Sequence, residues 1–259
     1  FFFGKGLVEL HGALHIRIED ASLTAGGLTA CETCTASAAP PYNCGMNPDA
    51  PLHLFSGLGP DVVLDALDSV GLRGDGRLIA LNSYENRVYQ VGMEEGPPVV
   101  AKFYRPERWS NAAILEEHAF VEELAVREIP AVPALTLDGR TLHEFGGFRF
   151  AVFPRKGGRA PELGDPATLE WIGRFIGRIH AVGALSEYKE RPALTPETFG
   201  RQPRDFLLAN DWIPRELLAA YTSVVDQALA GVAHCYERAG EHAVLRLHGD
   251  CHAGNVLWT

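Results

Sequence analysis

The segment His248-Gly249-Asp250-Cys251-His252-Ala253-Gly254-Asn255 decides how this chain is read. It follows HAVLRL, His242 to Leu247, which has the composition of a strand, and Gly249 frees the backbone for a sharp turn at the strand's end. An Asp and an Asn then stand five residues apart. A carboxylate so placed can accept a proton from a hydroxyl, and an amide oxygen suits a hard divalent cation. The bland alternative is a polar loop in which Asp250 and Asn255 merely turn the chain. The fit of the whole octet weighs against it.

Upstream, Val99-Val100-Ala101-Lys102 reads as a strand carrying a lysine near its end. Such a lysine is ordinarily a solvated edge residue. Here a helix follows, capped by Ser110 and running to about Val126, and it offers two carboxylates, Glu116 and Glu117. Glu117 lies three residues after Ile114, four before Val121 and seven before Leu124, on the apolar stripe. An inward carboxylate is costly unless paired, and Lys102 is its natural partner. Glu116 falls on a more polar flank, and the alternative is that both are exposed. A lysine for phosphates, a carboxylate for the attacking hydroxyl and an oxygen for a cation together meet the needs of phosphoryl transfer. The turn Leu81-Asn82-Ser83-Tyr84-Glu85-Asn86-Arg87 contains no glycine, so it is no glycine-rich phosphate loop. Ser83 is the residue there able to offer a hydroxyl or an amide to a phosphate.

The remaining pattern predicts a helix over Pro60–Val70 stopped by Gly71, then strands at Leu78–Leu81, Arg87–Val91 and Pro98–Tyr104. After the capped helix come strands near Leu135–Leu142 and Phe148–Phe153, around the turns Asp138-Gly139 and Gly146-Gly147. The second half is helical. Asp165-Pro166 opens a helix whose stripe is Leu169, Ile172, Ile176 and Ile179, with Gly173 and Gly177 marking close helix packing. A further helix runs from near Pro214 to Gly240. Sheet first and helices second, with a hinge near Phe153–Gly158, predicts an α+β protein of two lobes: 46–155 binding nucleotide and 156–259 carrying the catalytic loop.

With 259 residues, 46% apolar and 22% charged, the chain has ordinary globular composition. The formal net charge of −10 argues against a general nucleic-acid or anionic-membrane binder, since both need a basic field. No run approaches the ~20 apolar residues of a membrane span, and FFFGKGLVEL lacks the basic region of a signal peptide. Five scattered cysteines make no disulfide scaffold, so the expectation is a cytoplasmic monomer. The stretch 1–45 is expected to be a disordered or non-native extension, with the natural start at Met46.

The segments LNSYENRVYQ, KFYRPERW, ILEEHAF, GFRFAVFP, GRIHAVG and LRLHGDCHAGN resemble bacterial serine/threonine protein kinases of the aminoglycoside-phosphotransferase-like group, of stress-response type. The resemblance runs from about Leu54 to Trp258 and leaves 1–45 uncovered. It implies a protein-kinase-like fold and transfer of the γ-phosphate of ATP, with Mg2+, to a Ser or Thr hydroxyl of a protein. In it Asp250 matches the catalytic proton acceptor and Asn255 a magnesium ligand. Lys102 matches the phosphate-binding lysine, and Ser83 a nucleotide contact in the phosphate loop. Val152, Phe153 and Pro154 match the hinge whose backbone meets adenine. The group's D-x-D-type strand, with a second metal ligand, is expected beyond Thr259, so the chain alone should bind nucleotide weakly and catalyse little.

Two other functions share these residues: a small-molecule kinase of the aminoglycoside, choline or homoserine type, and a non-catalytic nucleotide-binding protein. Zinc at Cys31, Cys34 and Cys44, completed by His11, His15 or His53, lacks a matching fold signal. Cys251 reads as filler rather than redox sensor, and His252 as a structural hydrogen-bonder in the loop. Arg105, Arg108 and Trp109 read equally as a recognition patch or as surface side chains.

Overall fold

A computed structural model describes residues 54–259 and the backbone of 16–18. Met46 and the cysteine–histidine set considered for zinc lie outside the described residues. The chain divides into two units: a sheet unit of 16–108, 134–160 and 256–259, and a helical unit built from 109–133 and 161–255.

The sheet unit opens with helix α1 (Pro60–Asp68), as its proline at the first turn predicts; Gly71, at φ 80°, turns the chain out of it. Strands β2 (Gly74–Leu81), β3 (Arg87–Met93), β4 (Val99–Phe103), β5 (His143–Phe145) and β6 (Phe148–Pro154) form one antiparallel sheet in the order β2-β3-β4-β6-β5. Alternation along β4 sends Val99, Ala101 and Phe103 to the core with Val91, Met93, Phe148, Phe150 and Val152, against Phe55, Val63, Ala66 and Leu67. Phe103 stacks on Phe150 at 5.4 Å between ring centroids. Each large apolar side chain so placed contributes about 1.5–3 kcal/mol of burial free energy. A short strand β1 (Ile16–Ile18) pairs in parallel with β7 (Val256–Trp258), so part of the stretch expected to be an extension has strand backbone.

The strand expected at Leu135–Leu142 is displaced. Asp138 and Gly139 both have positive φ, so the chain reverses there and Leu137 pairs only with Arg140. The true strand β5 is joined to β6 by Gly146-Gly147, both at positive φ, which is the two-residue hairpin their sequence predicts.

In the helical unit, Ser110 caps helix α2 (Asn111–Val126), its Oγ accepting from Ala113 N at 3.0 Å. Asp165 caps α3 (Pro166–Gly183) by accepting from Ala167 N, Thr168 N and the Thr168 hydroxyl. A π-helical turn over Glu197–Arg201 runs into α4 (Gln202–Ala209), and a 3-10 turn over Arg215–Leu217 into α5 (Leu218–Ala239), which Gly240 stops at φ 65°. Of the predicted stripe of α3 only Ile179 is buried, with Ile172 and Ile176 half-buried and Leu169 49% exposed. Gly173 and Gly177 face open space rather than a neighbouring helix; the close approach is at Gly183, where a Cβ would run into the Arg246 carbonyl oxygen. The expected strand His242–Leu247 is not one: it is irregular in backbone, and Arg246 N donates to Gly183 O on a helix end rather than to a neighbouring strand. Among the described residues no helix is long and apolar enough to cross a membrane.

Candidate active site

Gly249, at φ 80°, makes the turn into the loop that its position predicts. The loop is then closed by its own side chains. His248 Nδ1 accepts from Asp250 N at 3.2 Å, and His252 Nδ1 accepts from Gly254 N at 3.0 Å. The other ring nitrogen, Nε2, faces Asp250 Oδ2 at 3.6 Å. His252 is thus a loop-internal hydrogen-bonder. Asn255, in the 3-10 turn Ala253–Asn255, donates from Nδ2 to both the main-chain oxygen and Oδ2 of Asp250, each at 2.8 Å. That leaves the Asn255 carbonyl oxygen directed away from the carboxylate it fixes.

Cys251 is half-buried, and burial first, then the Asp250 charge, pushes its thiol above the ordinary range. A thiol so disfavoured as thiolate is a poor nucleophile at neutral pH, which agrees with a filler role.

Glu117 is inward and buried, as its spacing predicts, and it forms an ion pair and hydrogen bond with Arg191. The same guanidinium donates to Ala113 O at 3.2 Å and lies over the Trp109 ring. Glu116, assigned by its position to a polar flank, instead anchors a distant segment. Its carboxylate accepts from the main-chain N–H groups of Lys189, Glu190 and Arg191 at 2.6, 3.0 and 3.0 Å. It therefore seats the segment that delivers Arg191 to Glu117. Glu117 and Arg191 border a cavity of about 750 Å3 that also touches Tyr188, Tyr236, His248 and Gly249.

In the sheet unit, Lys102 is 4% exposed, and its Nζ stands 4.7 Å from the centroid of the Tyr104 ring, two residues on and just past the end of β4. It is in register with Val88 on β3 and Ala151 on β6, beside Val152, Phe153 and Pro154 at the end of β6. The Val152 carbonyl accepts from Leu135 N at 2.7 Å. Ser83 is half-buried in the β2–β3 turn. That turn is held by two buried side chains: Asn86 Oδ1 accepts from Arg105 N at 3.1 Å, and Glu85 faces Arg108 Nε at 3.1 Å. Arg108 thus serves the turn rather than a solvent patch.

The predicted residues are accordingly grouped as Ser83, Lys102, Val152, Phe153 and Pro154 in the sheet unit, and Glu117, Asp250 and Asn255 in the helical one. Sequence reasoning passed over Glu85, Asn86, Arg191 and Arg246. Arg246 alone carries a signal, as a charge inside an apolar run, where a charge must find a partner.

A cation's fit can be judged from the donors. Among the described residues no three His, Cys, Asp or Glu side chains converge. Asn255 keeps a hard amide oxygen free of its bonds to Asp250, which fits a magnesium-like ion completed by phosphate and water rather than a protein cage.

A two-unit α+β fold with such a loop defines a phosphotransferase class, and the comparisons agree. Residues 77–259 match the model of the phosphotransferase enzyme family (APH), and the chain belongs to that family. Stress response kinase A of Escherichia coli (strain K12) is 44% identical over 205 residues, 79% of this chain and 62% of the relative. Serine/threonine protein kinase RdoA of Salmonella typhimurium is 41% identical over 213 residues, 82% of this chain and 64% of the relative. The chain therefore spans a little over three fifths of the length of these curated relatives. Among solved structures, amicoumacin kinase hAmiN in complex with AMP-PNP, Ca2+ and Ami superposes with a TM-score of 0.59 at 18% identity, over 76% of this chain and 62% of that one, a likeness of fold.

Proposed function

We propose that the protein carrying this chain is an ATP-dependent phosphotransferase, a serine/threonine protein kinase of stress-response type, working with Mg2+. The observation that carries the reading is the pair of bonds from Asn255 Nδ2 to Asp250, which holds the carboxylate in fixed orientation and leaves the amide oxygen of Asn255 for a cation.

In this reading Asp250 orients the acceptor hydroxyl and takes its proton as the phosphorus–oxygen bond forms. Asn255, with Asp250 beside it, holds the cation. Bound there, the ion would neutralise charge on the transferring phosphoryl group. Lys102 steadies the α- and β-phosphates, Ser83 contacts the nucleotide from the β2–β3 turn, and the main chain of Val152, Phe153 and Pro154 meets adenine. Glu117 is the acidic residue that α2 offers to nucleotide binding, and Arg191 holds its carboxylate in place. Cytoplasmic residence and a monomeric state belong to the same proposal, supported by the acidic composition and the few cysteines.

The acceptor is tested with γ-labelled ATP and Mg2+ in the full-length protein, offered a generic protein and separately a panel of small alcohols. Label on protein is expected. Label on small molecules alone would move the assignment to a small-molecule kinase, and no transfer at all would favour a nucleotide-binding role.

A further inference from the structure

Arg246 enters the candidate loop two residues ahead of His248, yet its side chain is buried, with 7% of the residue exposed. Its Nη2 donates to Glu123 Oε2 on α2 at 2.8 Å and to Val182 O near the end of α3 at 3.1 Å. The guanidinium lies over the Phe120 ring, 4.3 Å from its centroid, and 6.0 Å from that of Tyr188. Arg246 N donates to Gly183 O, and its own carbonyl oxygen occupies the space a side chain at 183 would need. Three segments, α2, the end of α3 and the chain entering the loop, thus meet at one residue.

Stability alone is a poor reason for this arrangement. Arg246 Nε is buried with no hydrogen-bond partner among the described residues. Apolar residues of similar volume often fill such a place at no loss of stability. What the guanidinium adds is direction, because its planar fork and ring stacking admit few geometries.

We propose that Arg246 is a positioning residue for the candidate active site: it locks the loop 248–255 to α2, so that Asp250 keeps its orientation only while the Glu123–Arg246 contact stands. The inference rests on the catalytic reading of Asp250. It makes α2, with Glu116 and Glu117, a fixed part of the catalytic unit.

The test uses the full-length protein with Arg246→Met, Arg246→Lys and Gly183→Ala, the last keeping the guanidinium but pushing against the backbone of residue 246. Steady-state kinetics are read beside hydrogen exchange at the amides of Asp250, Gly254 and Asn255. Misplacing a reacting group by about an ångström costs on the order of 100-fold. The expected result is therefore a fall in kcat of about 10- to 100-fold in Arg246→Met and Gly183→Ala, with KM for ATP changed less than about threefold, an intermediate value for Arg246→Lys, and faster exchange in the loop than in β4. Folded variants with wild-type kcat and wild-type loop exchange would overturn the proposal. If Arg246→Met does not fold, the other two variants decide. If the wild-type protein shows no Asp250-dependent transfer, the functional reading fails by itself. The exchange data then judge the coupling: faster loop exchange in the variants upholds it and unchanged exchange ends it.

Discussion

Asn255 directs its amide nitrogen at the carboxylate and main chain of Asp250, five residues back, and so fixes the group on which the proposed chemistry depends. Replacing it by alanine removes both the brace and the oxygen offered to a cation. In Asn255→Ala the Mg2+ concentration giving half-maximal rate should rise at least about tenfold, the scale on which losing metal-site interactions is felt; an unchanged Mg2+ titration would refute the assignment. Cys251 offers a second check. Because burial and the Asp250 charge both raise its thiol, alkylation of Cys251 by iodoacetamide should accelerate only above the ordinary thiol value of 9.0. Asp250→Asn should shift that profile to lower pH, since the nearby negative charge no longer opposes the thiolate. The loop residues were legible because their chemistry is written in consecutive positions. Arg191 was not, because the carboxylate it pairs with lies 74 residues away.

Helix α2 shows what can be read locally and what cannot. Its Ser110 cap and the inward position of Glu117 follow from spacing alone, and both are present. Ser110→Ala should cost about 1 kcal/mol by loss of the cap, measured by urea unfolding. Arg191→Met removes one partner of an ion pair whose side chains are only 6% and 9% exposed, and leaves Glu117 charged in the interior. A loss of about 3–5 kcal/mol is expected; a loss below about 1 kcal/mol would mean that the pair does not bear on folding. The flank assigned to Glu116 looked polar because hydropathy does not register three main-chain amides brought from residues 189–191. α4 went unseen because Gly200 just before it and Pro203 in its first turn punctuate the sequence, while its π-helical lead-in depends on backbone geometry without a side-chain pattern. The run 242–247 has strand composition, but composition cannot supply a strand neighbour, and Arg246 is drawn instead to Gly183, Val182 and Glu123.

At the scale of the molecule, the two units are made differently. The sheet unit holds a continuous apolar core whose strands were legible from alternation and β-branched content, and its order β2-β3-β4-β6-β5 puts Lys102 one strand from Val152–Pro154. In the helical unit α4 and α5 bury no residue fully, so the amphipathic pattern of α5 marked a helix without marking a core. Exposed carboxylates at Asp75 and Asp165 are held below their ordinary value of 3.8, by Arg77 and by the Thr168 hydroxyl respectively. A depressed folded value means that their stabilisation is present above 3.8 and is lost as pH falls through the lower folded values. Thermal midpoints should therefore drop in that acid window, and the drop should shrink in the Asp75→Asn, Asp165→Asn double variant.

The most direct measurement is the turnover of Asp250→Ala against the wild-type full-length protein, with ATP affinity measured on both. Removing a general base lowers the rate by about 100- to 10,000-fold, and the residues proposed to hold the nucleotide lie elsewhere in the chain. The account predicts a fall in kcat of that size with ATP affinity changed only a few-fold. A variant that transfers phosphate at the wild-type rate would contradict it.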